Sequence, residues 1–372
     1  MPRVRDPHAL RSPYEISGNR GDRTGGRGSR RFPRALARGF PFGTLAGAAA
    51  PPAPDASSSV PARRRRRAHR GGLSRVRDSG KIRVRTLVWG VLIFALLLAG
   101  LRLLERTGLY LPTSAHLAHP GSYGFRYEEK IVETADGERL DAWWIPAEGN
   151  DRPKGVEDPP LPPLPPLPKV PGAPVILFFH GNGGNISHRI QKIRYFLKMG
   201  ASVLIFDYRG YGASSGRPDE RGTYRDGEAA AQAALAEAGG DPDRVAYYGE
   251  SLGCAVALET ALRLPPRALI LDSPFSSTAA MGALIFPWLP TRWIVLNRYD
   301  NLGKINALSA PLLLLHSPDD DVIPFSMGRA VYEAAPSPKR FVETRGDHNE
   351  GFSESPNWGP SIADFLTEIF SR

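Results

Sequence analysis

The first sustained apolar stretch in the chain begins at Thr86, where sixteen uncharged residues, TLVWGVLIFALLLAGL, run to Leu101 with no polar face. As a helix they cover about 24 Å, a little short of a bilayer core of about 30 Å. Arg85 and Arg102 flank the run, and long basic side chains reach back toward water, so the span extends to Leu104. The pattern predicts one membrane-crossing helix over residues 86–104. A buried core helix would show an amphipathic stripe, and none is visible. An uncleaved anchor fits better than a signal peptide, because no small-x-small site follows the run and a long tail precedes it.

Beyond residue 110 the pattern changes to short strands alternating with helices, which predicts an α/β domain over residues 110–372. Phe125–Thr134 and Arg139–Pro146 alternate about Asp136-Gly137 and read as an opening hairpin. PVILFFHG, SVLIFDYRG, RVAYYGES, ALILDSPF and PLLLLHS follow as unbroken apolar runs. Strands apolar on both faces are covered on both, so the sheet is expected to be mostly parallel. With Arg340–Thr344 as the last strand, the expected sheet has eight strands. Helices are expected at Asn185–Met199, Glu220–Glu237, Cys254–Leu264, Ser326–Ala335 and Ser361–Ser371. Residues 276–308, rich in Trp, Leu and Pro, break the alternation and read as a small helical cap. PPLPPLPPLPKVP, residues 159–171, reads as a stiff polyproline loop on the surface.

Charge refines this division. The net +10 of the 372 residues is localised: residues 1–85 hold 21 Lys and Arg against 5 Asp and Glu, a charge of +16, leaving −6 for the rest. That tail is rich in Arg, Gly, Pro, Ala and Ser without apolar periodicity, which predicts disorder over residues 1–85. Its Arg63–Arg67 run has no interleaved aromatic residues, and the acidic remainder would repel phosphate, so nucleic acid is not expected as a partner. Eight basic residues precede Thr86 within twenty positions, against Arg102 and Arg106 on the far side. The positive-inside rule then leaves the tail in the cytoplasm and the α/β domain outside it, in the periplasm if the source is bacterial. A single cysteine, Cys254, excludes an intrachain disulfide framework and a zinc ribbon.

The strongest chemical signal is Gly249-Glu250-Ser251-Leu252-Gly253, a G-x-S-x-G between a strand and a helix. A serine on such a turn takes strained backbone geometry and projects over the sheet, and glycines on both sides avoid clashes. Its hydroxyl needs a base, and the base needs a carboxylate. Of the eight histidines, His348 in RGDHNE follows the last strand, where the order Ser, acid, His puts the base. His180 and His316 end strands and read as structural, while His116 and His119 lie just after the anchor and are not expected in the folded sheet. Asp320 in HSPDDDVIP is the candidate acid, with Asp272 as the alternative. Backbone N–H groups of Leu252 and of Asn182, in the loop HGNGGN, are candidate oxyanion donors. That loop lacks the lysine of a phosphate-binding loop.

HGNGGN, FDYRGYGASSGRP, GESLG, ILDSPFSS, DNLGKI, SPDDDVIPF and GDHNE stand in the order found in the α/β-hydrolase superfamily. The chain from about Tyr123 onward resembles its membrane-associated serine hydrolases, which include protein depalmitoylases. The resemblance implies an α/β-hydrolase fold, the triad Ser251, Asp320 and His348, and an oxyanion hole at Asn182 and Leu252. It implies no metal and no organic cofactor. Two departures stand out: no cysteine precedes Cys254, where depalmitoylases carry a lipidated cluster, and Ser317 stands where Gly is common. The expected function is hydrolysis of carboxylic ester or thioester bonds in an acyl substrate at a membrane. An aminopeptidase-like peptidase and a non-catalytic tethered scaffold are the alternatives.

Overall fold

The computed structural model describes residues 74–150, 164–168 and 172–371. The tail to residue 73 and most of the polyproline segment lie outside the described residues. Helix α1 (Ser74–Leu109) begins inside the stretch predicted to be disordered, twelve residues before the expected boundary at 86. Extending a helix costs far less than nucleating one, and residues 74–85 contain no proline to stop it. Arg85–Leu109 is long and apolar enough to cross a membrane, and its apolar window is not buried against the protein. Leu87, Phe94, Leu96 and Leu97 are exposed, so α1 is not a core helix.

The strands are β1 (Glu128–Glu133), β2 (Arg139–Ile145), β3 (Val175–Phe179), β4 (Ser202–Phe206), β5 (Val245–Glu250), β6 (Ala268–Asp272), β7 (Leu312–His316) and β8 (Lys339–Glu343). They form one sheet in the order β8-β7-β6-β5-β3-β4-β2-β1. The β1–β2 hairpin and the β2–β4 pair are antiparallel, and the other pairs are parallel. This is the eight-stranded, mostly parallel sheet that the apolar runs require.

Flanking helices are α2 (Ile190–Met199), α3 (Glu220–Glu237), α4 (Leu252–Arg263), α5 (Thr278–Ile285), α6 (Phe325–Ala334) and α7 (Trp358–Phe370). Side chains alternate across a strand, and β3 shows the result. Leu177 and Phe179 join one core with residues of α3 and α4, while Ile176 and Phe178 join the other with α2 and α7. Each such side chain, fully buried, contributes about 1.5–3 kcal/mol. In the described part of the polyproline segment Pro165 and Pro166 are exposed, while Leu167 is buried in the second core and its N–H donates to Met199 O at 2.8 Å. The cap region holds α5 and three short helical turns, Thr291–Ile294, Asn301–Lys304 and Ile305–Ala307, and α5 has no buried residue.

Candidate active site

The parallel strands end at one edge of the sheet, and three of the turns leaving it meet there. β5 runs into the turn at Ser251, whose φ of 52° is a left-handed conformation unusual for a side-chain-bearing residue. The turn is tight because α4 starts at the next residue. A Cβ on Gly253 would lie 2.0 Å from Phe179 O, and one on Gly249 would lie 2.6 Å from Gly253 O. Both clashes are with backbone, which has no rotamer to give. Gly253→Ala is therefore expected to destabilise the domain by about 3 kcal/mol or more, read as a lowered urea midpoint.

Ser251 Oγ lies 3.0 Å from His348 Nε2, and His348 Nδ1 lies 2.8 Å from Asp320 Oδ2. A carboxylate only accepts, so Nδ1 carries the proton and Nε2 is left to accept from the serine hydroxyl. Asp320 is fixed by the N–H groups of Val322 at 3.0 Å and Ile323 at 2.7 Å, both donating to Oδ1. Burial pushes its carboxyl up, but the bonds from His316 and His348 outweigh this and hold it well below the usual carboxylate range. Asp272, the alternative acid, faces elsewhere. Its Oδ2 accepts from Tyr248 OH at 2.6 Å and Trp358 Nε1 at 2.9 Å, with Lys192 Nζ at 3.5 Å.

Leu252 is the first residue of α4, where an N–H has no partner within the helix. Among the described residues neither its N–H nor that of Asn182 has a protein acceptor. The Asn182 carbonyl is pinned from two sides, by Leu111 N at 3.1 Å and Tyr211 OH at 2.9 Å, and its Nδ2 donates to Leu109 O at 3.2 Å. The last residue of α1 thus touches the loop that carries a candidate oxyanion donor. Leu111 and Pro112 then pair with Gly183 and Gly184 in a small parallel ladder.

These groups open onto a cavity of about 530 Å³ whose wall includes Thr113, Asn182, Arg189, Lys192, Ser251 and His348. Among the described residues, none of 276–308 lines it. Beside Ser251, buried Glu250 pairs with Arg189 and, at 2.6 Å, with Lys192 Nζ. Burial raises the Glu250 carboxyl, yet the two cations outweigh it and keep it ionised. Its Oε1 accepts from Gly181 N at 3.1 Å, which ties the serine turn to the Asn182 loop.

Several contacts escaped the sequence pattern. His316, read as an ordinary strand-end residue, places Nε2 3.3 Å from Asp320 Oδ2 and 3.0 Å from Ile323 O. Both neighbours are acceptors, so Nε2 carries a proton there. Ser317 Oγ donates to Gly346 O at 2.7 Å and accepts from Asp319 N at 3.1 Å, joining the acid loop to the histidine loop. The serine that departs from the common glycine therefore has a structural task.

His116 also corrects an expectation, since it packs on the sheet. Its Nε2 lies 3.2 Å from Asp207 Oδ2 and 3.4 Å from Asp141 Oδ2. These three could share a cation, their ligand atoms lying within 4.8 Å of one another, but the imidazole already supplies a donor to both carboxylates. The bond to Asp207 raises the His116 pKa, and burial lifts that of Asp141 to about 6. A raised histidine stabilises below its unfolded pKa of about 6.5 and loses that contribution as pH climbs through the folded value. His116→Gln should accordingly cost about 1.5–3 kcal/mol in urea unfolding near pH 6, the range for a charge-assisted bond, and less near pH 9.

A family model for the alpha/beta hydrolase fold matches residues 174–303. An uncharacterized protein of Mycobacterium tuberculosis is 36% identical over 247 residues, covering 66% of this chain and 81% of that protein. The chain belongs to the α/β-hydrolase superfamily. This hydrolase is also similar to the lysophosphatidylserine lipase ABHD12 of Danio rerio, at 33% identity over 52% of the chain and 58% of the lipase, and of Rattus norvegicus, at 32% over 61% and 59%. It thus spans somewhat under two thirds of those lipases. Among solved structures, an esterase from Pyrococcus furiosus superposes with a TM-score of 0.54 at 20% identity, over 70% of this chain and 98% of that one. An acetyl xylan esterase from Paenibacillus sp. R4 gives 0.52 at 19%, over 73% and 93%. At that identity the likeness concerns the fold alone.

Proposed function

We propose that this α/β-hydrolase is a membrane-tethered serine hydrolase that cleaves carboxylic esters, Ser251, His348 and Asp320 acting as its catalytic triad. The observation that carries the reading is the hydrogen-bonded relay from Ser251 Oγ through His348 to Asp320, with both bonds at 3.0 Å or less. Ser251 attacks the acyl carbonyl while His348 Nε2 takes its proton, and the ionised Asp320 stabilises the resulting imidazolium. The carbonyl oxygen becomes an oxyanion that accepts hydrogen bonds from the N–H groups of Leu252 and Asn182. Collapse of this intermediate releases the alcohol, protonated by His348, and water admitted to the same base frees the acid from Ser251.

A phospholipid ester with a single acyl chain is the substrate class to test first, because the lipases at 32–33% identity act on lysophosphatidylserine by name. A peptidase would need a free carboxylate for the substrate amine, and Asp300, the one carboxylate of residues 276–308, is engaged in capping Gly303 N at 2.9 Å. Residues 86–104 of α1 form the anchor in this reading, the basic tail 1–85 stays cytoplasmic, and the hydrolase domain 110–372 faces the other side. The test is labelling of the detergent-solubilised chain by a fluorophosphonate probe, alongside hydrolysis of p-nitrophenyl esters from acetate to palmitate and of lysophosphatidylserine. Labelling and turnover support the reading; silence toward the probe and every ester removes it.

A further inference from the structure

The cap presents an apolar edge that nothing covers among the described residues. Trp288 is 77% exposed and Trp293 73%, and Leu284, Ile285 and Leu296 are exposed beside them in sequence. Exposed large apolar side chains so concentrated mark an interaction surface. The position of this edge is set by α1. Glu105 Oε1 accepts from Leu296 N at 2.9 Å, Asn297 N at 2.8 Å and Asn297 Nδ2 at 2.9 Å, and Arg102 Nη1 donates to Ile294 O. Arg102 and Glu105 stand at the end of the apolar run of α1, where a spanning helix leaves the hydrocarbon.

We propose that the cap edge, through Leu284, Ile285, Trp288, Trp293 and Leu296, docks into the interfacial layer of the bilayer that α1 crosses. This rests on the reading in which α1 spans a membrane. Its hydrogen bonds to Arg102 and Glu105 hold the cap segment 294–297 at the depth of the helix end. Tryptophan prefers that depth, with its ring body apolar and its N–H wet. The charge agrees: Ser276 to Tyr299 contains no Asp or Glu but does contain Arg292 and Arg298, both exposed. The Arg292 guanidinium lies 4.9 Å from the Trp293 ring centroid, a pairing of an aromatic with a cation suited to anionic headgroups. The cap then serves as a second point of attachment, which fixes the tilt of the domain over the surface.

The experiment uses the full chain reconstituted in vesicles of three parts phosphatidylcholine to one part phosphatidylglycerol, with and without dibromo-phosphatidylcholine as a quencher within the membrane. Trp89→Phe removes the tryptophan of α1, and Trp143, Trp144 and Trp358 are buried inside the domain. Bromolipid should then quench roughly a third of the remaining emission, and adding Trp288→Phe and Trp293→Phe should abolish that quenching. Quenching by aqueous acrylamide but not by bromolipid overturns the proposal, and so does protection from both reagents, which would mean a protein partner covers the cap. The share of bromolipid quenching that Trp89→Phe removes from the otherwise unaltered chain reports separately whether α1 inserts. If it does not insert, the proposal falls with the anchor. Turnover of soluble p-nitrophenyl butyrate reports separately on the serine site.

Discussion

Ser251→Ala is expected to lower kcat on p-nitrophenyl esters by about 10⁵-fold or more and to abolish fluorophosphonate labelling, while the unfolding free energy from urea titration stays within about 1 kcal/mol of the parent. The size follows from what remains: without the Oγ no acyl-enzyme forms, and water has to attack in its place. The proposed oxyanion donors at Leu252 and Asn182 survive, so some catalysis above the solution rate should persist. Stability should hold, and even rise slightly. Alanine removes a hydroxyl but keeps a Cβ at φ 52°, so the backbone strain of the turn is unchanged. A loss of only a few fold on all esters would mean that the chemistry runs through another residue.

Asp320→Asn should cost about 10⁴-fold in kcat with a much smaller change in KM. Its amide can donate to His348 Nδ1, which turns the imidazole to the tautomer with Nε2 protonated, and Nε2 can then no longer take the Ser251 proton. The negative charge that would stabilise the imidazolium is lost as well. Asp320 is held well below the usual carboxylate range, so in the parent no limb of the pH–rate profile above pH about 4 should belong to it. Asp272→Asn supplies the contrast. Because Asp272 bonds Tyr248 and Trp358 rather than His348, it should weaken the fold and retain most of the turnover. Equal kcat losses in the two variants would discard Asp320 as the acid.

Much of this geometry was legible because it follows from local sequence. Five unbroken apolar runs can only be strands covered on both faces, and a serine between glycines at a strand-to-helix junction can only sit at the sheet edge. Asp320 and His348 follow strands that end at that same edge. Contacts between distant segments were not legible. Glu250 holds Gly181 from 69 positions away, and His116 reaches Asp207 across 91. Nothing in the composition around His116 separates a linker histidine from one packed against two carboxylates. His316 looked structural because its partner, Asp320, is four residues away on a turn whose direction no pattern reveals. The early start of α1 at Ser74 escaped for a different reason, since arginine and glycine counts report on packing and not on the continuation of a helix already formed.

Between Leu109, the last residue of α1, and Thr113 on the cavity wall, four residues of chain reach at most about 14 Å. The Asn182 bond to Leu109 shortens even that freedom. With α1 in a bilayer, the reacting serine cannot drift into bulk water, and its encounters are confined to a thin shell at the lipid surface. Turnover of a lipid ester would then depend on the mole fraction of that ester in the membrane and not on its concentration in the suspension. Adding inert phospholipid at constant enzyme and substrate would slow the reaction by dilution in two dimensions, whereas a water-soluble ester would be hydrolysed at an unchanged rate.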